Sequence, residues 1–245
     1  MAAHELEYYE KVYYGKQVEG RGLETPEALK RSFSRLIRHY DEVVGPHLPA
    51  SKEAFCLDLA CGYGNWLYYL QQRGFKNAHG VDLDPRQVEL AKSLGLDARV
   101  ADVREALNAE GQFDLISGFD LIEHLDKNSA VMLLQQIHRA LKDEGKVVLQ
   151  CPCADGFTGC HDMCNDLTHK WSPSSTMLKQ LLRTVGFKRV EIVDLSLPPF
   201  PTRASRKMLF AVRKLARKVV CFQLRILGVL PPQVWSNSMI AVVYK

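Results

Sequence analysis

A glycine turn and a set of carboxylates carry the clearest chemistry in this chain. The segment LDLACGYGNW sets Asp58, Ala60, Gly62 and Gly64 just ahead of Asn65 and Trp66. Glycines at this spacing permit a tight turn and let a ligand approach the backbone at a helix N-terminus. Asp82, eighteen residues after Gly64 and followed by Leu83, is placed to accept both hydroxyls of a ribose. Asp102, followed by Val103, can accept from an exocyclic adenine amine. A further segment, SGFDLIEHL, gathers Phe119, Asp120, Ile122, Glu123 and His124. A nicotinamide-type fingerprint needs a third glycine where this chain has Leu67, which disfavours a dinucleotide dehydrogenase.

The stretch CPCADGFTGCHDMCNDLTHKW, residues 151–171, holds four cysteines and two histidines. Structural zinc sites pair cysteines about two to four residues apart. CHDMC has that spacing and CPC does not. A metal- or redox-sensing module on Cys151, Cys153, Cys160, His161 and Cys164 would leave the glycine turn and the acids without a role, so no residue is assigned to a metal. Asp166 and His169, three apart, would share a face on a helical turn. There the carboxylate could orient the imidazole, or both could address a substrate hydroxyl.

These residues need a frame. From Phe55 onward FCLDLA, AHGVDL, ARVADV, FDLISGF, KVVLQC, RVEIVDLS and SMIAVVYK read as strands. NWLYYLQQRG, DPRQVELAKSLG, NSAVMLLQQIHRALKDEG and SPSSTMLKQLLRTVG read as helices closed by Gly74, Gly95, Gly145 and Gly186. The alternation predicts an α/β fold: a Rossmann-like, seven-stranded, mostly parallel sheet with helices on both faces. Residues 1–50 read as an N-terminal helical cap, with Thr25 capping TPEALKRSFSRLIRHYDEVV. Residues 51–245 form the main domain, with a loop at 152–173 over the site and a helical insertion at 198–232 before the last strand. Ligands of such sheets bind beyond the carboxyl ends of the strands, which is where Asp58, Asp82, Asp102 and the Phe119–Glu123 segment fall.

The D-x-x-C-G-x-G turn, the acid after the second strand, the AD after the third and the FD…EHL segment together resemble class I S-adenosylmethionine-dependent methyltransferases over residues 55–194. Ala60 stands where that family usually has glycine. The resemblance implies S-adenosylmethionine as cofactor, held by Asp58, Ala60, Gly62, Gly64, Asn65, Trp66, Asp82, Leu83, Asp102, Val103, Phe119, Asp120, Ile122 and Glu123. It also implies in-line displacement from a sulfonium, to which the protein contributes alignment and a site with little water. A hydroxyl acceptor also wants a general base, and His169, Asp166 and His124 are the candidates. DLTHKWSPSSTMLKQLLRTVGF is similar to a stretch in bacterial glycan-modifying methyltransferases. That implies a sugar hydroxyl on a surface glycan, or on its lipid- or nucleotide-linked precursor. Small-molecule O-methylation of the quinone-biosynthesis type is the alternative, since the EHL segment and the fold are shared.

A chain that is 47% hydrophobic and 24% charged is ordinary for a soluble globular protein. Seven cysteines exclude a complete disulfide framework. With no signal pattern in MAAHELEYYEK and no apolar run long enough to span a bilayer, a cytoplasmic location is expected. Charge is unevenly placed: residues 195–245 hold nine Lys/Arg and no acid, and the rest of the chain is net negative. Within 203–228, basic residues fall on one arc of a helix and Met208, Val212, Leu215, Val219, Phe222 and Ile226 on the other. Such a helix fits the inner face of an anionic membrane, the phosphates of a linked substrate, or packing on this domain or a second subunit. The acidic body and the lack of an aromatic-interleaved basic platform argue against nucleic acid as a partner.

Overall fold

A computed structural model describes residues 19–109, 111–156, 159–196 and 204–245, without the side chains of residues 109, 160, 162 and 204–207. The first eighteen residues of the expected cap and the 198–203 opening of the expected insertion lie outside the described residues, as does the Cys160 side chain. Helix α1 (Pro26–Val43) precedes a seven-stranded sheet made of β1 (Phe55–Leu59), β2 (Asn77–Asp82), β3 (Asp97–Val100), β4 (Phe113–Phe119), β5 (Leu141–Pro152), β6 (Arg189–Asp194) and β7 (Ser238–Tyr244). The strand order is β3-β2-β1-β4-β5-β7-β6. β1 through β5 pair in parallel, and β7 runs antiparallel to both β5 and β6.

Parallel neighbours need long crossovers. Helices α2 (Asn65–Gln72), α3 (Pro85–Ser93), α4 (Val103–Ala109) and α5 (Lys127–Ala140) supply them. The helices start where side chains can cap them. Thr25 accepts from the Ala28 N–H, Asp84 from Arg86 and Asp126 from Ser129. Along the strands alternate residues enter opposite buried faces, as a period of two requires when both faces are covered. In β4, Ile116 joins a core with Leu57, Leu133 and Val147, while Leu115 joins the opposite core with Tyr40, Trp66 and Val148. Helix α1 joins the body directly, with Leu29 and Phe33 packed among Leu67, Val88 and Leu96.

Three boundaries differ from the sequence reading. Helix α5 ends at Ala140 rather than near Gly145, because Leu141 is buried beside Phe113 and already paired with it as the first residue of β5. A register shift between Phe113 and Leu115 absorbs that early start. The strand expected over ARVADV stops at Val100, and Val103 opens α4. The loop after β5 contains a short helix, α6 (Gly159–Cys164), before α7 (Ser175–Val185), whose N-cap Ser174 accepts from the Met177 N–H. The insertion contains α8 (Ala204–Ile226).

β1 lies between β2 and β4, so the strand order reverses there and opens a crevice at their carboxyl ends. The turn entering that crevice depends on Gly64, at φ +88, where a Cβ would sit 2.6 Å from Leu96 Cδ1 and 3.1 Å from Ala91 Cβ. Gly64→Ala should therefore cost about 2 kcal/mol, lowering Tm by about 4–8 °C. Gly74→Ala is the matched control, with φ +83 but open space around the new methyl. Calorimetry should show the larger drop for Gly64→Ala, and equal drops would remove the packing half of the argument.

Candidate active site

Past β1 the chain turns through Ala60 (φ 55), Gly62 (φ 54) and Gly64 (φ 88) into α2. Only the last two are glycines; alanine in the left-handed region is strained. The turn is fastened to the end of β2. The Cys61 N–H donates to the Val81 carbonyl at 2.9 Å, and the Gly62 N–H donates to Asp82 Oδ2 at 2.9 Å. Asp82 Oδ1 accepts from the Asp84 N–H at 2.9 Å, so one buried carboxylate spans two turns. Each of its oxygens has a further acceptor position for a ligand hydroxyl. The approach is close because Gly80 carries no side chain: a Cβ there would meet Cys61 Cβ at 2.6 Å. At Gly62 a Cβ would lie 2.9 Å from Gln87 Oε1. Side chains at these glycines would run into Gln87, Leu96 and Cys61, so only glycine lets the turn and β2 pack this closely and leaves the turn's backbone bare.

The other acids differ from one another. Asp58 is buried and accepts from the Ser117 hydroxyl at 2.6 Å. Burial pushes its carboxyl up to about 7, the Ser117 bond opposes this and nearby Asp82 adds to it. Asp102 is gripped by Arg104, whose Nε and terminal nitrogen donate at 3.0 and 2.9 Å and hold its carboxyl below the usual range. Asp120, exposed and at φ 52, accepts from Gln150 Nε2 at 3.1 Å. Ala60 and Asp120 place two left-handed non-glycine residues side by side at the ends of adjacent strands. Such strain collects at binding sites.

One pocket is lined by Ala60, Asp82, Leu83, Asp102, Val103 and Asp120, together with His124 and Lys170. Trp66 and Ile122 stand behind it in the core. The Trp66 ring packs on Phe119 at 4.9 Å and Tyr40 at 5.1 Å, and Asn65 accepts from the Tyr40 hydroxyl at 3.1 Å. Trp66 and Ile122 brace the turn from the core, and Asn65 and Phe119 are half-buried beside it.

The segment after α6 is pinned onto the 3-10 turn Ile122–His124. The Lys170 N–H donates to the Glu123 carbonyl at 2.8 Å, and the Trp171 indole N–H donates to the Ile122 and Leu125 carbonyls, both at 3.0 Å. This clamp brings Thr168 Oγ1 within 2.8 Å of His124 Nδ1 and 2.6 Å of Asp166 Oδ1. An ionised carboxylate only accepts, so the Thr168 hydroxyl donates to Asp166 and must accept from His124 Nδ1–H. The tautomer assigned by this network puts the His124 lone pair on Nε2. Burial and the neighbouring His169 push the His124 imidazole down to about 4. The two rings meet edge to face with centroids 4.8 Å apart. For Asp166 burial opposes ionisation, but its bonds from the Thr168 hydroxyl and N–H outweigh this and hold it low.

No helix runs through Asp166–His169, but the His169 N–H donates to the Asp166 carbonyl at 3.2 Å and closes a single turn there. The Asp166 carboxylate accepts from the Thr168 N–H at 2.8 Å in an Asx turn, and its side-chain link runs through Thr168 to His124. Thr168 was legible only as the residue two after an aspartate, the spacing of that turn. Beneath lies Glu123, fully buried with both oxygens unbonded, its carboxyl pushed well up by burial and then by Asp120. Ligand-type atoms of Glu123, His124 and His169 lie within 4.8 Å of one another. Among the described residues no cysteine joins such a group. Cys151 and Cys153 are buried, with burial pushing both thiols up, and Cys164 is exposed on α6.

The family described as "Methyltransferase domain" matches residues 29–192. The tRNA U34 carboxymethyltransferase of Cellvibrio japonicus is 28% identical over 174 residues, covering 64% of this chain and 52% of that protein. The chain therefore spans about half the length of the curated relatives it matches. Among solved structures, a SAM-dependent methyltransferase from Archaeoglobus fulgidus superposes with TM-score 0.62 at 20% identity, covering 89% of this chain and 94% of that one. Phosphoethanolamine N-methyltransferase 2 of Haemonchus contortus, solved with S-adenosyl-L-methionine, gives TM-score 0.63 at 15% identity, covering all of this chain and 60% of that one.

Asp58 has a stability consequence. Its folded pKa of about 7 lies above its unfolded value, so the folded state binds the extra proton and stability is lost as pH rises from about 4 to about 7. Histidines held neutral by burial, His124 among them, act oppositely below about 6.5. The comparison with Asp58→Asn isolates the effect. Denaturant titrations across this window should show stability falling more steeply with pH, or rising less, in the parent than in the variant. Parallel pH profiles would mean that Asp58 titrates normally.

Proposed function

The chain belongs to the methyltransferase-domain family, with S-adenosylmethionine as its cofactor, and we propose that it methylates a hydroxyl oxygen, with a sugar hydroxyl as the favoured acceptor. The observation that carries this reading is that Asp82, Asp102 and His124 line one and the same pocket. When bound, S-adenosylmethionine supplies an electrophilic methyl group on a positively charged sulfur. The residues present fit it. Asp82 would hold the ribose hydroxyls, and the Ala60–Gly64 backbone would cradle the ligand. Leu83 and Val103 would flank the adenine, beside an Asp102 carboxylate already oriented by Arg104.

His124 is the residue of this chain best placed to take the acceptor's proton. Its Nε2 carries the lone pair, and Thr168 and Asp166 hold the ring and would stabilise the imidazolium as it forms. With its pKa near 4 it stays neutral throughout the physiological range. It is then a weak base at rest, and proton transfer accompanies methyl transfer rather than preceding it. His169 packs on the ring and shapes the acceptor's entry.

The sugar acceptor is supported by the DLTH…LLRTVGF segment, whose likeness to glycan-modifying enzymes includes the residues that meet His124. A second reading, transfer to tRNA, is supported by relatives named tRNA U34 carboxymethyltransferases. Against it stands the placement of charge: residues 1–194, which supply the pocket's lining, are net negative, and the basic excess lies in 195–245, outside that lining.

Calorimetric titration should show S-adenosylmethionine binding, weakened at least about tenfold by Asp82→Asn, a loss of about 1.4 kcal/mol. A folded chain that does not bind the cofactor ends this proposal. Presented with labelled cofactor, the enzyme should label saccharide-containing lipid or nucleotide fractions and leave bulk tRNA unlabelled; the reverse pattern selects the second reading.

In turnover assays His124→Ala should lower kcat by about 10²–10⁴ at unchanged cofactor affinity. Thr168→Val should cost less, because it frees the ring without removing it. The parent kcat should show no His124 ionisation between about pH 5 and 8. An acidic limb near 6.5 that vanishes in His124→Ala would contradict the assigned environment.

A further inference from the structure

Helix α8 carries apolar residues on two opposite faces, one more than a helix that only completes a core requires. An amphipathic helix of a globular domain turns its apolar stripe inward. In α8 the residues turned toward the body are Phe210, Arg217, Val220, Cys221 and Leu224, all half-buried. One polar group fixes this face: Arg217 donates to Asp194 Oδ2 at 3.1 Å, and its guanidinium lies over the Trp235 ring at 5.1 Å. At 100° per residue the opposite face carries Met208, Val212, Leu215, Val219, Phe222 and Ile226, each 49–70% exposed. Ten of the sixteen large hydrophobic residues exposed among the described residues lie between Met208 and Leu230. The patch runs on past the helix through Leu227, Val229 and Leu230, the last 90% exposed.

We infer that α8 is a membrane-surface helix whose outward stripe beds into the interface of an anionic lipid bilayer. The stripe repeats at alternating steps of four and three, which would also suit a second copy of the same helix. Charge decides between them. Lys214, Lys218 and Arg225 border one side of the stripe and Arg213 stands toward the other, while residues 195–245 contain no acid with which a second copy could answer them. Paired copies would set cation against cation. An anionic bilayer complements every one of these charges while burying the apolar row. The helix lies on the surface and does not cross it: no described helix is long and apolar enough to span a membrane. At about 35 Å, α8 would give a long footprint parallel to the bilayer. The inference does not depend on which acceptor is methylated, although it suits one that is itself lipid-linked.

Flotation of the full chain with phosphatidylcholine vesicles, with and without phosphatidylglycerol, tests it. Binding should require phosphatidylglycerol and weaken at high salt. The stripe variant V212E/L215E/V219E should lose at least about tenfold in affinity, and the charge variant K214E/K218E/R225E about a hundredfold. All six positions are exposed, so both variants should keep the parent Tm and cofactor binding, which separates this test from the fate of the methyltransferase reading. Sedimentation velocity without lipid should show no oligomer that depends on the stripe. The inference is overturned if the parent ignores anionic vesicles, if both variants float as the parent does, or if the stripe variant dissolves a dimer without changing flotation. Retention of the chain by tRNA but not by vesicles, through the same basic residues, would equally overturn it.

Discussion

The Asp82 carboxylate is the constraint from which the cofactor side of this site follows. It is buried, holds one N–H of the glycine turn and one N–H of the next turn, and so sets the distance between the ends of β1 and β2. Everything around it is shaped to permit that bond. Gly80 removes the side chain that would push Cys61 away, Gly62 makes room beside Gln87, and Gly64 lets α2 start against Leu96 and Ala91. A carboxylate that anchors the turn is oriented before any ligand arrives, so little ordering remains to be done on binding.

The acceptor side rests on a second anchor of different chemistry. The Trp171 indole N–H bridges two carbonyls of the 122–125 turn and ties the segment after β5 to the segment after β4. Its ring is buried, so the clamp is also a packing contact. The two anchors meet at His124, which belongs to the second and lines the pocket made by the first. Trp66 and Phe119, packed at a tilt beneath, couple the start of α2 to the end of β4, so the halves share one floor.

Local signals in the sequence carried the frame. The α1 cap at Thr25 and the strand-end acids were readable from spacing, because each depends on residues within a turn of one another. What spacing does not give is a contact across the fold. Trp66 and Ile122 sit next to ligand-facing positions in sequence, yet their side chains turn into the core. Thr168 bonds a histidine forty-four residues away, which no local pattern encodes. The early end of α5 failed for the same reason, since Leu141 leaves the helix to pair with Phe113. The amphipathicity of α8 was legible, but not that its apolar face would point away from the body, because that is fixed by the contact of Arg217 with Asp194 and Trp235.

The electrostatics of the crevice bear on why a cationic cofactor suits it. Asp58, Asp82 and Glu123 are all buried, and in each case burial is the leading cause of a raised pKa. Asp82 adds to the rise at Asp58, Asp84 adds to that at Asp82, and Glu123 has Asp120 and Asp166 nearby. Without a ligand the fold therefore holds carboxyl groups against their preference for water, at a cost that grows as they ionise. A ligand carrying a sulfonium and an ammonium brings the charge that these groups lack, so binding and ionisation favour each other.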